Sequence, residues 1–196
     1  DPKMMEQIVQ RCLVRTEYMR KMIADLLDLT RIESGEKKRE MVEIDLAIEA
    51  RNAIETMTPD ASKRGISFEL HREGPVTLLA DRAEMNIVLN NLVSNAVKYN
   101  KDGGRVDIAL KREADHVEVR VADTGIGMSK EESARLFNEF VRIKNARTKD
   151  ILGSGLGLSI LKKIAALYNG DISVDSTPDV GTTFTITLKD AAPVKD

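Results

Sequence analysis

The stretch DRAEMNIVLNNLVSNAVKYNKDGG, residues 81–104, opens on a carboxylate suited to capping a helix and closes on two glycines. Asp81 can accept hydrogen bonds from the first free backbone N–H groups, and Asp102-Gly103-Gly104 supplies the terminator, so a helix to about Asn100 is expected. Met85, Val88, Leu89, Leu92, Ala96 and Tyr99 step by three and four and form its buried stripe. Asn91, Asn95 and Lys98 follow at i, i+4 and i+7 on a neighbouring face, so three polar heads line up beside the core. Amide oxygens can complete the shell of a hard cation that keeps phosphate and water ligands, and a lysine can reach phosphate. A solvated polar face has the same spacing, and Asn86 and Asn90 also sit four apart. The lysine on the Asn91/Asn95 face favours that pair.

Around this helix the pattern is mixed. Upstream, a helix is expected over Leu46–Lys63 with Gly65 as its stop, then short strands at Ile66–Leu70 and Val76–Ala80. Downstream, alternating strands Arg105–Lys111 and Val117–Ala122 flank a turn containing His116. A short helix over Lys130–Phe137 leads into a polar segment, and a further helix covers Leu156–Tyr168. Strands Ile172–Ser176 and Thr182–Leu188 are joined by a turn near Pro178-Asp179. Strands with helices grouped between them imply an α+β fold: a two-layer sandwich with helices on one face of a mixed, mostly antiparallel sheet.

Residues 4–33 read as one long helix. Met5, Cys12, Met19 and Leu26 recur at a seven-residue step, flanked by Ile8, Val9, Met22, Ile23 and Leu29. So wide an apolar face needs partners on two sides, as in a four-helix bundle. No second long helix follows, so this helix is expected to dock on another segment or to dimerise. Ser34-Gly35 ends it, and Glu36 to Glu40 reads as a linker.

The bulk properties narrow the functional classes. The chain has 196 residues, 30 Lys+Arg against 32 Asp+Glu, 4% aromatics and no Trp. Balanced charge gives no basic footprint for nucleic acid or membrane surfaces, and stacking platforms are lacking. A single cysteine, Cys12, cannot form an internal disulfide and suits a reducing cytoplasm. No apolar run approaches the length of a membrane span.

Two glycine-rich turns follow the asparagine-bearing helix. In Asp123-Thr124-Gly125-Ile126-Gly127-Met128, glycines at alternate positions permit positive φ and close approach to a ligand. The carboxylate at the strand end can accept from an exocyclic amine such as that of adenine. Gly153-Ser154-Gly155-Leu156-Gly157-Leu158 opens a helix, where backbone N–H groups and the helix dipole favour an anion. An ordinary turn and a hinge are the respective alternatives. Between them, Arg142, Lys144, Arg147 and Lys149, with Phe137 and Phe140 as anchors, read as a basic lid or as a solvated charge run.

In this order, these elements resemble the catalytic, ATP-binding domain of bacterial sensor histidine kinases, within the ATPase group shared with type II topoisomerases, mismatch-repair ATPases and heat-shock chaperones. Residues 91–99 resemble its asparagine box, Phe137 and Phe140 its phenylalanine box, and residues 153–157 its second glycine box. The resemblance implies ATP and Mg²⁺ as cofactors. Asn95 would hold the metal, with Asn91 near it; Lys98 and Tyr99 would contact phosphate or ribose, and Asn91 and Lys98 would serve catalysis. Asp123 would read the adenine amine beside Gly125 and Gly127. Gly153, Ser154, Gly155, Leu156 and Gly157 would bind phosphates, with Arg142 and Arg147 approaching the γ-phosphate. Leu152 stands where a further glycine is common, and Ser154 where threonine is.

Residues 26–35, LLDLTRIESG, resemble the end of the second helix of the family's dimerisation and histidine-phosphotransfer domain. The implied division is 1–35 for that helix, 36–45 for a linker and first strand, 46–190 for the ATP-binding domain and 191–196 for a tail. The implied partners are a response-regulator receiver domain and a second copy of the chain, with no nucleic acid. The chain would be a cytoplasmic portion of a parent anchored in the membrane through upstream segments. His71 and His116 do not sit in a bundle helix, so the phosphoacceptor histidine is expected before Asp1, and residues 1–196 are expected to bind ATP without phosphorylating themselves.

Overall fold

A computed structural model describes residues 2–34, 39–143, 147, 148, 151 and 153–190. Helix α1 spans Pro2–Ser34, followed by β1 (Met41–Asp45), α2 (Leu46–Lys63), β2 (Ser67–Glu73), β3 (Thr77–Asp81) and α3 (Arg82–Lys98). Then come β4 (Arg105–Arg112), β5 (Val117–Asp123), α4 (Lys130–Ser133), α5 (Gly157–Leu167), β6 (Asp171–Thr177) and β7 (Gly181–Leu188). The expected Gly35 helix end, most of the 36–40 linker and the 191–196 tail lie outside the described residues.

Period-two alternation builds the sheet. In β4, Val106, Ile108 and Leu110 point inward; β5 contributes Val117, Val119 and Val121, and β7 Phe184, Ile186 and Leu188. Strand order is β2-β4-β5-β7-β6. The β2–β4 pair is parallel and the other neighbours are antiparallel, which matches the expected mixed, mostly antiparallel sheet. A separate two-stranded antiparallel sheet joins β1 to β3. Helices α2, α3 and α5 pack on one face of the larger sheet. Each fully buried Leu, Ile or Val there contributes roughly 1.5–3 kcal/mol.

Helix α3 starts where expected: the Asp81 side chain accepts from Ala83 N and Glu84 N. It ends at Lys98, with Tyr99 as cap, slightly short of the expected end. Arg64 explains the stop, because its guanidinium donates to Val97 O (2.7 Å), Asn100 O (2.5 Å) and Asp102 Oδ1 (2.8 Å), satisfying carbonyls the last turn leaves open. Gly65, at φ +64°, closes α2 as anticipated. The helix expected over Lys130–Phe137 is only Lys130–Ser133. Beyond it the N–H groups of Arg135 and Leu136 bond three residues back, to Glu132 O and Ser133 O, and the chain breaks into turns. Strand β2 runs past Leu70 to Glu73 because its pairing with β4 continues to Lys111.

Helix α1 keeps most of its apolar residues exposed, among them Met5, Ile8, Met19, Met22, Ile23 and Leu26. Its C-terminal half nevertheless packs on α5, burying Leu29 and Asp25. Lys163 of α5 pairs with Glu33 of α1 and, at 2.8 Å, with Glu139.

Candidate nucleotide site

The polar heads of α3 and both glycine turns line one cavity between α3, the end of β5 and the start of α5. Asn91, Asn95, Lys98 and Tyr99 come from α3 and its cap, and Asp123 from the end of β5. Gly127 lies in the first turn, Gly153, Ser154, Gly155 and Gly157 in the second, and Arg142 in the segment between. Asn90 is exposed on the other side of α3, so the structure separates the two asparagine pairs that spacing leaves equivalent.

One end of the cavity is apolar, walled by Ile126, Met128, Leu136 and Phe184 around Asp123. The Asp123 carboxylate accepts from Gly125 N at 2.8 Å and from the Thr182 backbone. Burial outweighs these bonds and pushes its pKa up to about 6. A carboxylate at the edge of an apolar slot is suited to a flat heterocycle that presents an amine.

The other end is polar. The Asn91 amide donates to Ile87 O at 2.9 Å, which turns its oxygen to the start of α5, where a Cβ on Gly157 would lie 2.5 Å from Asn91 Oδ1. Lys98 is held below its ordinary pKa, first by burial and then by Lys21, with Asp25 and Asp60 opposing. Burial raises the Tyr99 hydroxyl, and Arg142 opposes it. The first turn of α5 has no side-chain cap, so its N–H groups face the cavity edge with the positive end of the dipole. Amide oxygens beside a lysine and an uncapped helix start fit a hard cation that shares its shell with phosphate.

Four expectations are corrected. Tyr99 belongs to the cavity wall rather than the buried stripe of α3, because the helix ends before it. Leu156 is fully buried in the core, and its N–H is taken by Ser154 Oγ at 3.2 Å, so it does not face the cavity. Arg147 does not line the cavity and pairs with Asp179. Gly125 lies beneath the cavity and has no positive φ; it is needed for space, since a Cβ there would stand 2.2 Å from Tyr99 O. Gly127 does have positive φ, +58°. Of the expected lid, Arg142 donates to Ile151 O, whereas Lys144 and Lys149, like Leu152, lie outside the described residues. Phe137 packs on the core and Phe140 is exposed.

Sequence reasoning missed the lining residues Leu136, Val141, Ile143, Thr148, Thr182 and Phe184, which lie outside the quoted motifs. It also missed Lys21 and Asp25 of α1, which reach the polar end; Ser154 Oγ donates to Asp25 Oδ2 at 2.5 Å, and Lys21 Nζ lies 3.7 Å from Asp25 Oδ1.

Residues 80–192 match the model of the histidine kinase-, DNA gyrase B- and HSP90-like ATPase family. The chain belongs to this family. The sensor-like histidine kinase SenX3 of Mycobacterium tuberculosis is 32% identical over 188 residues, covering 96% of this chain and 46% of SenX3. This chain therefore spans about half the length of that relative. Among solved structures, the catalytic domain of histidine kinase ThkA superposes with a TM-score of 0.68 at 26% identity, over 78% of this chain and 97% of that one. Full-length ShkA in complex with AMPPNP gives 0.75 at 27% identity, over 89% of this chain and 37% of that one. This member of the ATPase family thus has the sandwich of histidine kinase catalytic domains, with α1 ahead of it. No described helix is long and apolar enough to cross a membrane.

Proposed function

We propose that this chain is the nucleotide-binding part of a sensor histidine kinase and holds ATP with Mg²⁺ in the cavity between α3 and α5. The observation that carries this reading is the convergence of Asp123, the Asn91/Asn95/Lys98 face and the uncapped start of α5 on one cavity. Asp123 would accept from the adenine amine. The helix start, with Gly155 and Gly157, would take the phosphates together with Lys98 and Arg142. Asn95, with the Asn91 oxygen beside it, would hold the metal, whose contribution is to neutralise phosphate charge. That ShkA was crystallised with AMPPNP supports a nucleoside triphosphate as ligand.

The likeness to SenX3 runs through 96% of the chain and so includes α1, which favours the kinase branch over the other ATPases of the family. In the parent, a histidine imidazole nitrogen would attack the γ-phosphorus. A P–N bond forms as the bond to the bridging oxygen breaks, and ADP leaves. The protein's part is to position and neutralise. The phosphoryl group would then pass to an aspartate of a response-regulator receiver domain. The exposed apolar residues of α1 would pair with a second copy in a helix bundle.

Titration calorimetry with Mg²⁺ and ATP, against GTP, tests the reading. ATP should bind at least about ten-fold more tightly, because a carboxylate accepts from an amine and opposes a carbonyl oxygen. Equal affinities, or none, would refute it. His71 lies in β2 and His116 in a turn, so neither should take label from γ-labelled ATP.

A further inference from the structure

We propose that Asp25 competes with the nucleotide's phosphates from within the molecule: α1, docked on α5, places this carboxylate at the polar end of the cavity, and ATP must displace it to bind. The inference rests on the reading of the cavity as an ATP site.

Asp25 is 6% exposed, unusual for a carboxylate on a helix whose other faces are largely open to solvent. It is held by Ser154 Oγ at 2.5 Å, within the glycine turn that leads to the uncapped start of α5, and Lys21 lies 3.7 Å away. Lys98 feels its field from α3. A hydroxyl and a lysine are donors a phosphate would use, and here they hold an anion that the chain itself supplies, at the turn leading to the start of α5. A polyanionic triphosphate entering this corner meets a buried like charge that already engages Lys21 and acts on Lys98.

The docking that brings Asp25 there has its own contacts. Lys21, Asp25, Asp28 and Ile32 step by three and four along the α1 face turned to the domain, with Leu29 four residues after Asp25. Leu29 is 4% exposed, and Glu33 pairs with Lys163 outside the cavity. Two states follow. With α1 docked, the anion site is filled by the chain's own carboxylate; with α1 released, it is open. The measured dissociation constant is then the intrinsic one divided by the open fraction.

Fluorescence anisotropy with a labelled ATP analogue, in Mg²⁺ and in EDTA, tests this on the full chain, Asp25→Asn and Glu33→Gln. Asp25→Asn should tighten binding about ten-fold in both conditions, since one opposing charge is removed. Glu33→Gln, away from the cavity, should tighten it about two- to three-fold by loosening the helix. Weaker binding of Asp25→Asn confined to Mg²⁺ would make Asp25 a metal ligand and overturn the proposal. Unchanged affinity in both variants would overturn it as well, and tightening confined to Asp25→Asn would overturn the link to helix docking. If neither the unsubstituted chain nor the variants bind, the ATP reading itself fails instead.

Discussion

Replacing Asp123 by Asn should stabilise the protein at pH 8 while weakening nucleotide binding. Burial lifts the Asp123 carboxyl from an ordinary value of 3.8 to about 6. Between those values the folded chain holds a proton that the unfolded chain has lost, so stability falls as pH rises through this window. Above about pH 6 both states are ionised, and the cost of the buried charge is fully present. At about 1.4 kcal/mol per pH unit, the gap of roughly two units corresponds to about 3 kcal/mol. Partial solvent access reduces that to about 1–2 kcal/mol.

Asn keeps the shape and an oxygen able to accept from Gly125 N, and it carries no charge. Urea unfolding at pH 8 should therefore show Asp123→Asn more stable by about 1–2 kcal/mol, with the gap closing by pH 4. Calorimetry at pH 8 should show ATP binding weaker by about ten-fold or more, as a charged acceptor is exchanged for a neutral one. A variant less stable than the parent at pH 8, or a stability difference independent of pH, would refute the claim that burial raises this group.

Three further outcomes are expected. Gly127→Ala, which places a Cβ 1.9 Å from Thr177 O at φ +58°, should cost more than about 2 kcal/mol, whereas Gly153→Ala, with nothing within 4 Å of its Cβ, should stay within about 0.5 kcal/mol; urea midpoints decide both. Asn95→Ala should abolish the gain in ATP affinity produced by Mg²⁺ while sparing binding in EDTA, measured by calorimetry. Tyr168→Phe should cost about 1–3 kcal/mol in urea unfolding, because the hydroxyl donates to Glu84 at 2.6 Å and accepts from Asp81 N at 2.9 Å at a site with no exposure.

What the sequence disclosed, and what it withheld, follows the range of the interactions involved. The α3 stripe from Met85 to Ala96 is legible because helical period and burial are the same fact seen twice. So is the alternation in β4, β5 and β7. Tyr99 departs from that period because the helix stops before it, and the residue that halts it is Arg64, distant in sequence and marked by nothing local.

Asp25 is the most instructive omission. The apolar residues of α1 at Met5, Met19 and Leu26 face away from the domain. The face that meets the domain carries Lys21 and Asp25 eight and four residues before Leu29. By composition it passes for a solvated stripe. Only contact with the second glycine turn distinguishes a buried carboxylate from an exposed one, and that turn lies far along the chain. A helix of this kind has two binding faces of different chemistry. The apolar one is visible as periodicity, and the polar one becomes visible only when its acceptor site is in place. Substituting Asp25 or Glu33 addresses the second face alone, so its effect on nucleotide affinity is separable from any association through the first.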